Sequence, residues 1–198
     1  MYLKSYFEVY ELSLMLLFAL ASAMLNTYLP IKAFTQWLGV PGPAAGMAFL
    51  GGFIFVFWVA LAHVIIKKRY AGIVTALLIA SFCIIITPWY GIVSPIWFGG
   101  YAIAALVSMG IIVELTATAS ASKSKTKSKS RSRVRVVAVT GGGLGNVACL
   151  GITWIAIGVH AGVWVPSKWA PILILGAFVS GCVGSLMAYF LSLLVRGE

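Results

Sequence analysis

The sequence predicts an all-α polytopic membrane protein with six transmembrane helices and both termini in the cytoplasm. Composition, apolar runs and the distribution of basic residues lead to this prediction. Of the 198 residues, 62% are hydrophobic and only 9% are charged, and the mean hydropathy is +1.05. A chain of this length has too few polar residues to cover a soluble core, so lipid must be its solvent.

Six apolar runs have the length expected of helices that cross a hydrocarbon layer about 30 Å thick. Prolines, glycines or charged residues mark the breaks between the runs, and the third run is the shortest. The chain is expected to form a single domain over residues 1–198. The predicted spans are 10–29, 44–66, 71–87, 94–116, 136–160 and 171–195.

Basic residues are distributed unequally between the two sides of the six predicted helices. Twelve of the fourteen Lys and Arg fall on the side that holds both termini, and only Lys32 and Lys168 fall on the other. Cytoplasmic loops of membrane proteins carry an excess of Lys and Arg, so the twelve mark the cytoplasmic side of a cell membrane. The formal net charge of +10 therefore reflects topology in this interpretation.

The start of the chain has two interpretations. Residues 21–23 read Ala-Ser-Ala after an apolar stretch, which resembles the cleavage site of a secretory signal peptide. We favour an uncleaved first helix, because Glu8 and Glu11 accompany the single Lys4 before that stretch, whereas a signal peptide begins with net positive charge.

Residues 119–135 alternate Ser or Thr with Lys or Arg and form a low-complexity segment. We expect a cytoplasmic loop that lies on anionic lipid headgroups, where each basic residue contributes on the order of 1 kcal/mol. Nucleic acid is not expected as a partner, because no aromatic residue interleaves these charges and the segment is tethered to the membrane.

The sequence contains no residue pattern typical of a metal site, a haem site or a hydrolytic active site. The three cysteines stand alone in apolar runs, without a C-x-x-C pair or a His at ligand spacing. His63 and His160 fall at opposite ends of the predicted bilayer, too far apart for a bis-histidine haem. His63 and Glu114 are expected to snorkel to the interface or to pair with the basic loops. We therefore expect no cofactor, no metal and no enzymatic activity in this chain.

Small residues recur at four-residue spacing in two predicted helices, which lets backbones approach closely in lipid. The glycine-rich run at 141–146 fits the same role, because it lacks the Lys-Ser/Thr that completes a phosphate loop. Such faces pack either within the protein or against a partner, and a chain without its own energy source would need a partner. The candidate docking residues are Ala19 and Ala23 on the first helix and Gly176, Ser180 and Gly184 on the sixth.

Aromatic residues concentrate in the predicted outer loops, where five of the seven Trp fall. An interfacial aromatic belt is one explanation. The other is a pocket beneath the first outer loop, in which stacking and a few hydrogen bonds hold a flat, weakly charged molecule. The candidate binding residues are Tyr28, Gln36, Trp37, Trp89, Tyr90, Trp97, Asn146, His160 and Trp164.

Two segments resemble the S components of energy-coupling factor (ECF) transporters, small six-helix membrane proteins that capture vitamins. The first helix, ELSLMLLFALASAML, carries Ala19-x-x-x-Ala23 and is similar to the alanine-motif helix by which that family docks on its coupling subunit. Residues 87–115, TPWYGIVSPIWFGGYAIAALVSMGIIVEL, resemble the hydroxymethylpyrimidine/thiamine branch, together with the basic loop and the GGGLGN run that follow. Proteins of that branch have a Ser-Pro-Trp-like turn, and this chain has Thr87-Pro88-Trp89 at the similar place. They also have a Gly-x-x-x-Glu-like helix end, which corresponds to Gly110 and Glu114 here.

The resemblance implies a binding protein that takes a vitamin-like heterocycle from the outer side and delivers it through a transmembrane coupling subunit driven by two ATPases. One departure is the lack of any acid on the outer half, which favours a neutral heterocycle, or a cation held by aromatic faces alone. Two other functions stay open: a structural membrane subunit that assembles through small-residue faces, and an autonomous transporter of a small solute.

Overall fold

A computed structural model of the protein describes residues 6–30, 44–86, 95–122, 130–162 and 164–196. These residues form six helices and contain no β-strand, which confirms the all-α prediction. Five of the helices are long and apolar enough to cross a membrane, whereas the third has only 15 residues. The helices are α1 (Val9–Tyr28), α2 (Ala44–Gly51, then a π-helical turn Gly52–Val56, then Phe57–Ile66), α3 (Ala71–Ile85), α4 (Pro95–Ser122), α5 (Ser130–Ala161) and α6 (Ala170–Arg196).

Helices α4 and α5 extend further than the apolar runs that predicted them. Helix α4 continues to Ser122 and α5 begins at Ser130, so both enter the segment 119–135 that was expected to be a loop. Residues 123–129 of that segment lie outside the described residues. The physical reason is that no Gly or Pro occurs between 119 and 135, so nothing in the sequence ends a helix at the edge of the apolar run.

Successive helices run antiparallel, so the two ends of the bundle collect different residues. At one end, Lys68 after α2 forms an ion pair of 2.7 Å with Glu11 at the start of α1. At the opposite end, Tyr101 near the start of α4 packs against His160 near the end of α5, with 5.1 Å between the ring centroids. We name these the basic end, which holds residues 67–69, and the aromatic end, which holds Tyr101 and His160.

Helix α2 occupies the centre of the bundle and contacts each of the other five helices. Its π-helical turn departs from the regular hydrogen-bond ladder, and side chains of neighbouring helices bond to its backbone. The Gly52 amide donates to the Ser180 hydroxyl at 2.8 Å, and the Ser22 hydroxyl donates to the Ile54 carbonyl at 2.6 Å. Because hydrocarbon offers no substitute partner, these bonds let an irregular turn exist at membrane depth.

Glycines bring α2 and α6 into backbone contact at this turn. A Cβ atom on Gly52 would overlap the Ser180 carbonyl, and one on Gly184 would overlap the Gly52 carbonyl. The missing side chains therefore allow the two backbones to touch, which is how small residues stabilise helix pairs in lipid.

The five residues predicted to dock on a partner make contacts inside this bundle. Ala19 and Ala23 are completely buried on α1, which packs against α2 and α3. Gly176 lies against the Phe49 ring, and Ser180 and Gly184 lie against α2. Docking of these residues on a partner stays a prediction. Four-residue spacing marks a close helix contact but carries no information about which helix makes it.

Substituting Gly52 by Ala should destabilise the bundle, because the added methyl has no room beside the Ser180 carbonyl. We expect Gly52→Ala to lower the free energy of unfolding by about 1–3 kcal/mol, the usual cost of overpacking. The matched control is Gly151→Ala on α5, where no heavy atom lies within 4 Å of the added methyl. Thermal unfolding of both variants in detergent measures the difference, and equal melting temperatures would contradict the α2–α6 contact.

Candidate functional site

The predicted outer binding site is only partly within the described structure. Gln36, Trp37, Trp89 and Tyr90 lie outside the described residues, and of Trp97 only its place in α4 is described. Four of the nine candidates therefore have described side chains: Tyr28, Asn146, His160 and Trp164.

Three of these four lie at helix ends and are exposed. The His160 imidazole meets the Tyr101 ring edge to face, at an interplanar angle of 75°. Trp164 is 62% exposed, and part of its ring packs against Gly158. A Cβ atom on Gly158 would lie only 2.6 Å from three atoms of this ring. Tyr28, at the end of α1, is 71% exposed. The aromatic end thus presents an imidazole and several aromatic rings to its surroundings.

Tyr101 was missed by the sequence reasoning. It lies near the start of α4, and antiparallel packing brings this position to the depth of His160 near the end of α5. A comparison of depths along the two predicted spans would have identified it, because residues equally far from one interface meet in antiparallel helices.

Asn146 does not share a site with His160. It is completely buried on α5, and its amide donates to the carbonyls of Met47 on α2, at 3.3 Å, and of Ala177 on α6, at 2.9 Å. Fourteen residues separate it from His160, or about 21 Å along a helix. Its geometry is that of a clamp between three helices, and within the described part of the chain its Oδ1 atom has no hydrogen-bond partner.

An acid–base pair of a buried carboxylate and a partly buried imidazole lies at the basic end. Glu114 on α4 is 3% exposed and accepts hydrogen bonds from the backbone amides of Tyr70 and Gly72, the latter at 3.1 Å. These amides belong to the start of α3, where unpaired N–H groups and the helix dipole favour a carboxylate. His63 Nδ1 on α2 lies 3.5 Å from Glu114 Oε2. The two ionisable groups thus pair with each other, and the sequence had not indicated this pairing.

A small cavity of about 30 Å³ opens beside this pair, between α2, α4, α5 and α6. The Ser185 hydroxyl at its wall is buried and has no hydrogen-bond partner among the described residues. Aliphatic side chains form most of the remaining wall. The polar lining residues are His63, Ser185 and Tyr189, and the apolar ones are Ala60, Val64, Val113, Ala117, Ala138 and Val139.

Comparison with known proteins found no match to this chain. No protein-family model, no curated protein and no solved structure matches the chain. The resemblance to ECF S components therefore stays a prediction from the residues. Among the described residues, no cluster of three His, Cys, Asp or Glu side chains could hold a metal ion.

Removing the Glu114 carboxylate should destabilise the bundle, because the amides of Tyr70 and Gly72 would lose their acceptor. An unpaired buried N–H group costs about 1–3 kcal/mol, so we expect Glu114→Ala to lower the free energy of unfolding by a similar amount or more. Glu114→Gln keeps an acceptor oxygen and should retain part of this stability.

The matched control is Glu11→Ala, which removes the carboxylate from the partly exposed pair with Lys68. The same carboxylate accepts a hydrogen bond from the Glu8 amide, but Glu8 is exposed and water can replace this acceptor. Because ion pairs near the surface also contribute little, this variant should lose less stability than Glu114→Ala. Chemical denaturation in mixed micelles compares the three variants. Equal losses for Glu114→Ala and Glu11→Ala would refute the capping role of Glu114.

Proposed function

We propose that this protein is a membrane-embedded binding subunit for a small heterocyclic solute. In this proposal it lies in the cell membrane with both termini in the cytoplasm and takes its ligand from the outer side. It then delivers the ligand through a transmembrane coupling subunit with an ATPase pair, as an ECF S component does. A neutral pyrimidine of the thiamine-precursor class is the favoured ligand.

The observation that carries this proposal is the aromatic end. There the His160 imidazole and the Tyr101 ring form an edge-to-face pair, with the exposed Trp164 ring on the segment that follows α5. Aromatic faces stack on a flat ligand, and an imidazole both donates and accepts hydrogen bonds with ring nitrogens or amino groups. Such groups suit a heterocycle better than a sugar, a peptide or a metal ion.

The charge distribution supports a neutral ligand and an external source of energy. None of the four acids of the sequence falls between α1 and α2, between α3 and α4 or between α5 and α6, the three connections assigned to the outer side. The buried pair His63 and Glu114 lies at the opposite end. Ligand capture and the charged groups are therefore separated along the bundle axis, and a partner is needed to drive transport.

The buried pair favours a second candidate, an autonomous transporter of a small solute. Ionisable residues inside a membrane bundle often belong to a proton or ion pathway, and the buried Glu114 and the partly buried His63 lie side by side next to a cavity. Solute uptake into liposomes that contain this chain alone would favour that candidate over the binding subunit. The third possibility, a structural membrane subunit that assembles through its small-residue faces, stays a prediction.

Purified protein should bind a heterocycle through the aromatic end. We expect quenching of Trp fluorescence by at least one member of a panel of hydroxymethylpyrimidine, thiamine and related vitamins. Each of the variants Tyr101→Ala and His160→Ala should weaken binding about tenfold, since an aromatic contact contributes about 0.5–1.5 kcal/mol beyond its buried area and 1.4 kcal/mol is a factor of ten.

The matched control is Tyr10→Ala, which removes an exposed Tyr from the start of α1 at the basic end. Its affinity should equal that of the wild type. A panel without any binder, or the same loss of affinity in all three variants, would contradict the proposal.

A further inference from the structure

We propose that the cavity beside His63 binds water, and that this water links the Ser185 hydroxyl to the His63 imidazole. The His63–Glu114 pair would then be an acid–base site inside the bundle that is reached by water from the basic end. This inference depends only on residues inside the bundle. It does not depend on which solute the aromatic end binds.

The Ser185 hydroxyl is the first reason. Other buried hydroxyls among the described residues donate to a backbone carbonyl, as Thr75 does to Ala71 and Ser22 does to Ile54. Ser185 is just as deeply buried, at 6% exposure, yet among the described residues no acceptor lies within reach of its hydroxyl. A buried hydroxyl at a cavity wall without a protein partner is the usual site of an ordered water molecule.

The His63 imidazole is the second reason. Its Nδ1 atom faces the Glu114 carboxylate at 3.5 Å, and the carboxylate is itself held by the amides at the start of α3. This contact between Nδ1 and the carboxylate is not a hydrogen bond, and among the described residues the buried Nδ1 atom has no hydrogen-bond partner. The imidazole therefore has hydrogen-bonding capacity that a water molecule can satisfy. His63 is also part of the cavity wall, so this water molecule can lie in the cavity.

The volume of the cavity fits water as its ligand. A volume of about 30 Å³ is sufficient for one or two water molecules, which each need about 10–15 Å³ by this measure. It is far too small for a vitamin, and the hydroxyl and imidazole supply the polar partners that a buried water requires. The wall residues Ala117, Ala138 and Tyr189 are partly exposed and lie towards the basic end, so water can enter from that side.

Transfer of magnetisation from water to the ring protons of His63 tests this inference. The chain has only two histidines, so His-selective isotope labelling of the full chain in nanodiscs gives one interior and one exposed imidazole. We expect water cross-peaks to the carbon-bound ring protons of both His63 and His160. The methyl group of Met15, which is completely buried in the apolar core, should show none and is the negative control.

Two variants separate bound water from general solvent access. Ser185→Val replaces the hydroxyl by a methyl group, adds a second methyl group on Cβ and should abolish the His63 cross-peak. Ser192→Val removes another buried hydroxyl of α6, one that already donates to the Tyr189 carbonyl, and should leave the cross-peak unchanged. If Ser185→Val fails to fold, Ser185→Thr keeps the hydroxyl and should keep the cross-peak. A folded wild type with a water cross-peak to His160 but none to His63 would overturn the inference.

Discussion

The contact between the π-helical turn of α2 and the glycine face of α6 is the constraint on which the bundle depends. Hydrocarbon cannot bond to the backbone groups of an irregular turn, so each must find a partner in the protein. Ser180 on α6 and Ser22 on α1 supply these partners, and the absence of side chains at Gly52 and Gly184 lets the backbones come close enough. Helix α2 is thereby fixed against helices from both ends of the sequence.

Fixing α2 also positions the buried polar groups. His63, one turn before the end of α2, meets Glu114 on α4, and this carboxylate binds the start of the short helix α3. Asn146 holds the other half of α2 through the Met47 carbonyl. These polar residues account for the architecture of the interior and the basic end. The exposed imidazole and aromatic rings lie at the opposite end, where we propose that the ligand binds.

Hydropathy predicted the helices because a transmembrane segment must be apolar along its whole length, but it could not predict where α4 ends and α5 begins. It marks the edge of the hydrocarbon, whereas a helix can continue past that edge when no stop signal occurs there. The π-helical turn depends on Ser180, which lies 128 residues further along the chain. The pairing of His63 with Glu114 likewise depends on helix packing. Spacing of small residues predicted close contacts, and only the three-dimensional arrangement shows that Ala19 and Gly184 make them within this chain.

The central claim is that the aromatic end faces outwards and the basic end faces the cytoplasm. Single cysteines test it directly in a chain whose three native cysteines are replaced, with Lys168→Cys between α5 and α6 and Lys67→Cys after α2, both at exposed positions. In intact cells a membrane-impermeant thiol reagent should label Lys168→Cys at once and Lys67→Cys only after permeabilisation. Labelling of Lys67→Cys in intact cells, with Lys168→Cys protected, would reverse the orientation and contradict the account.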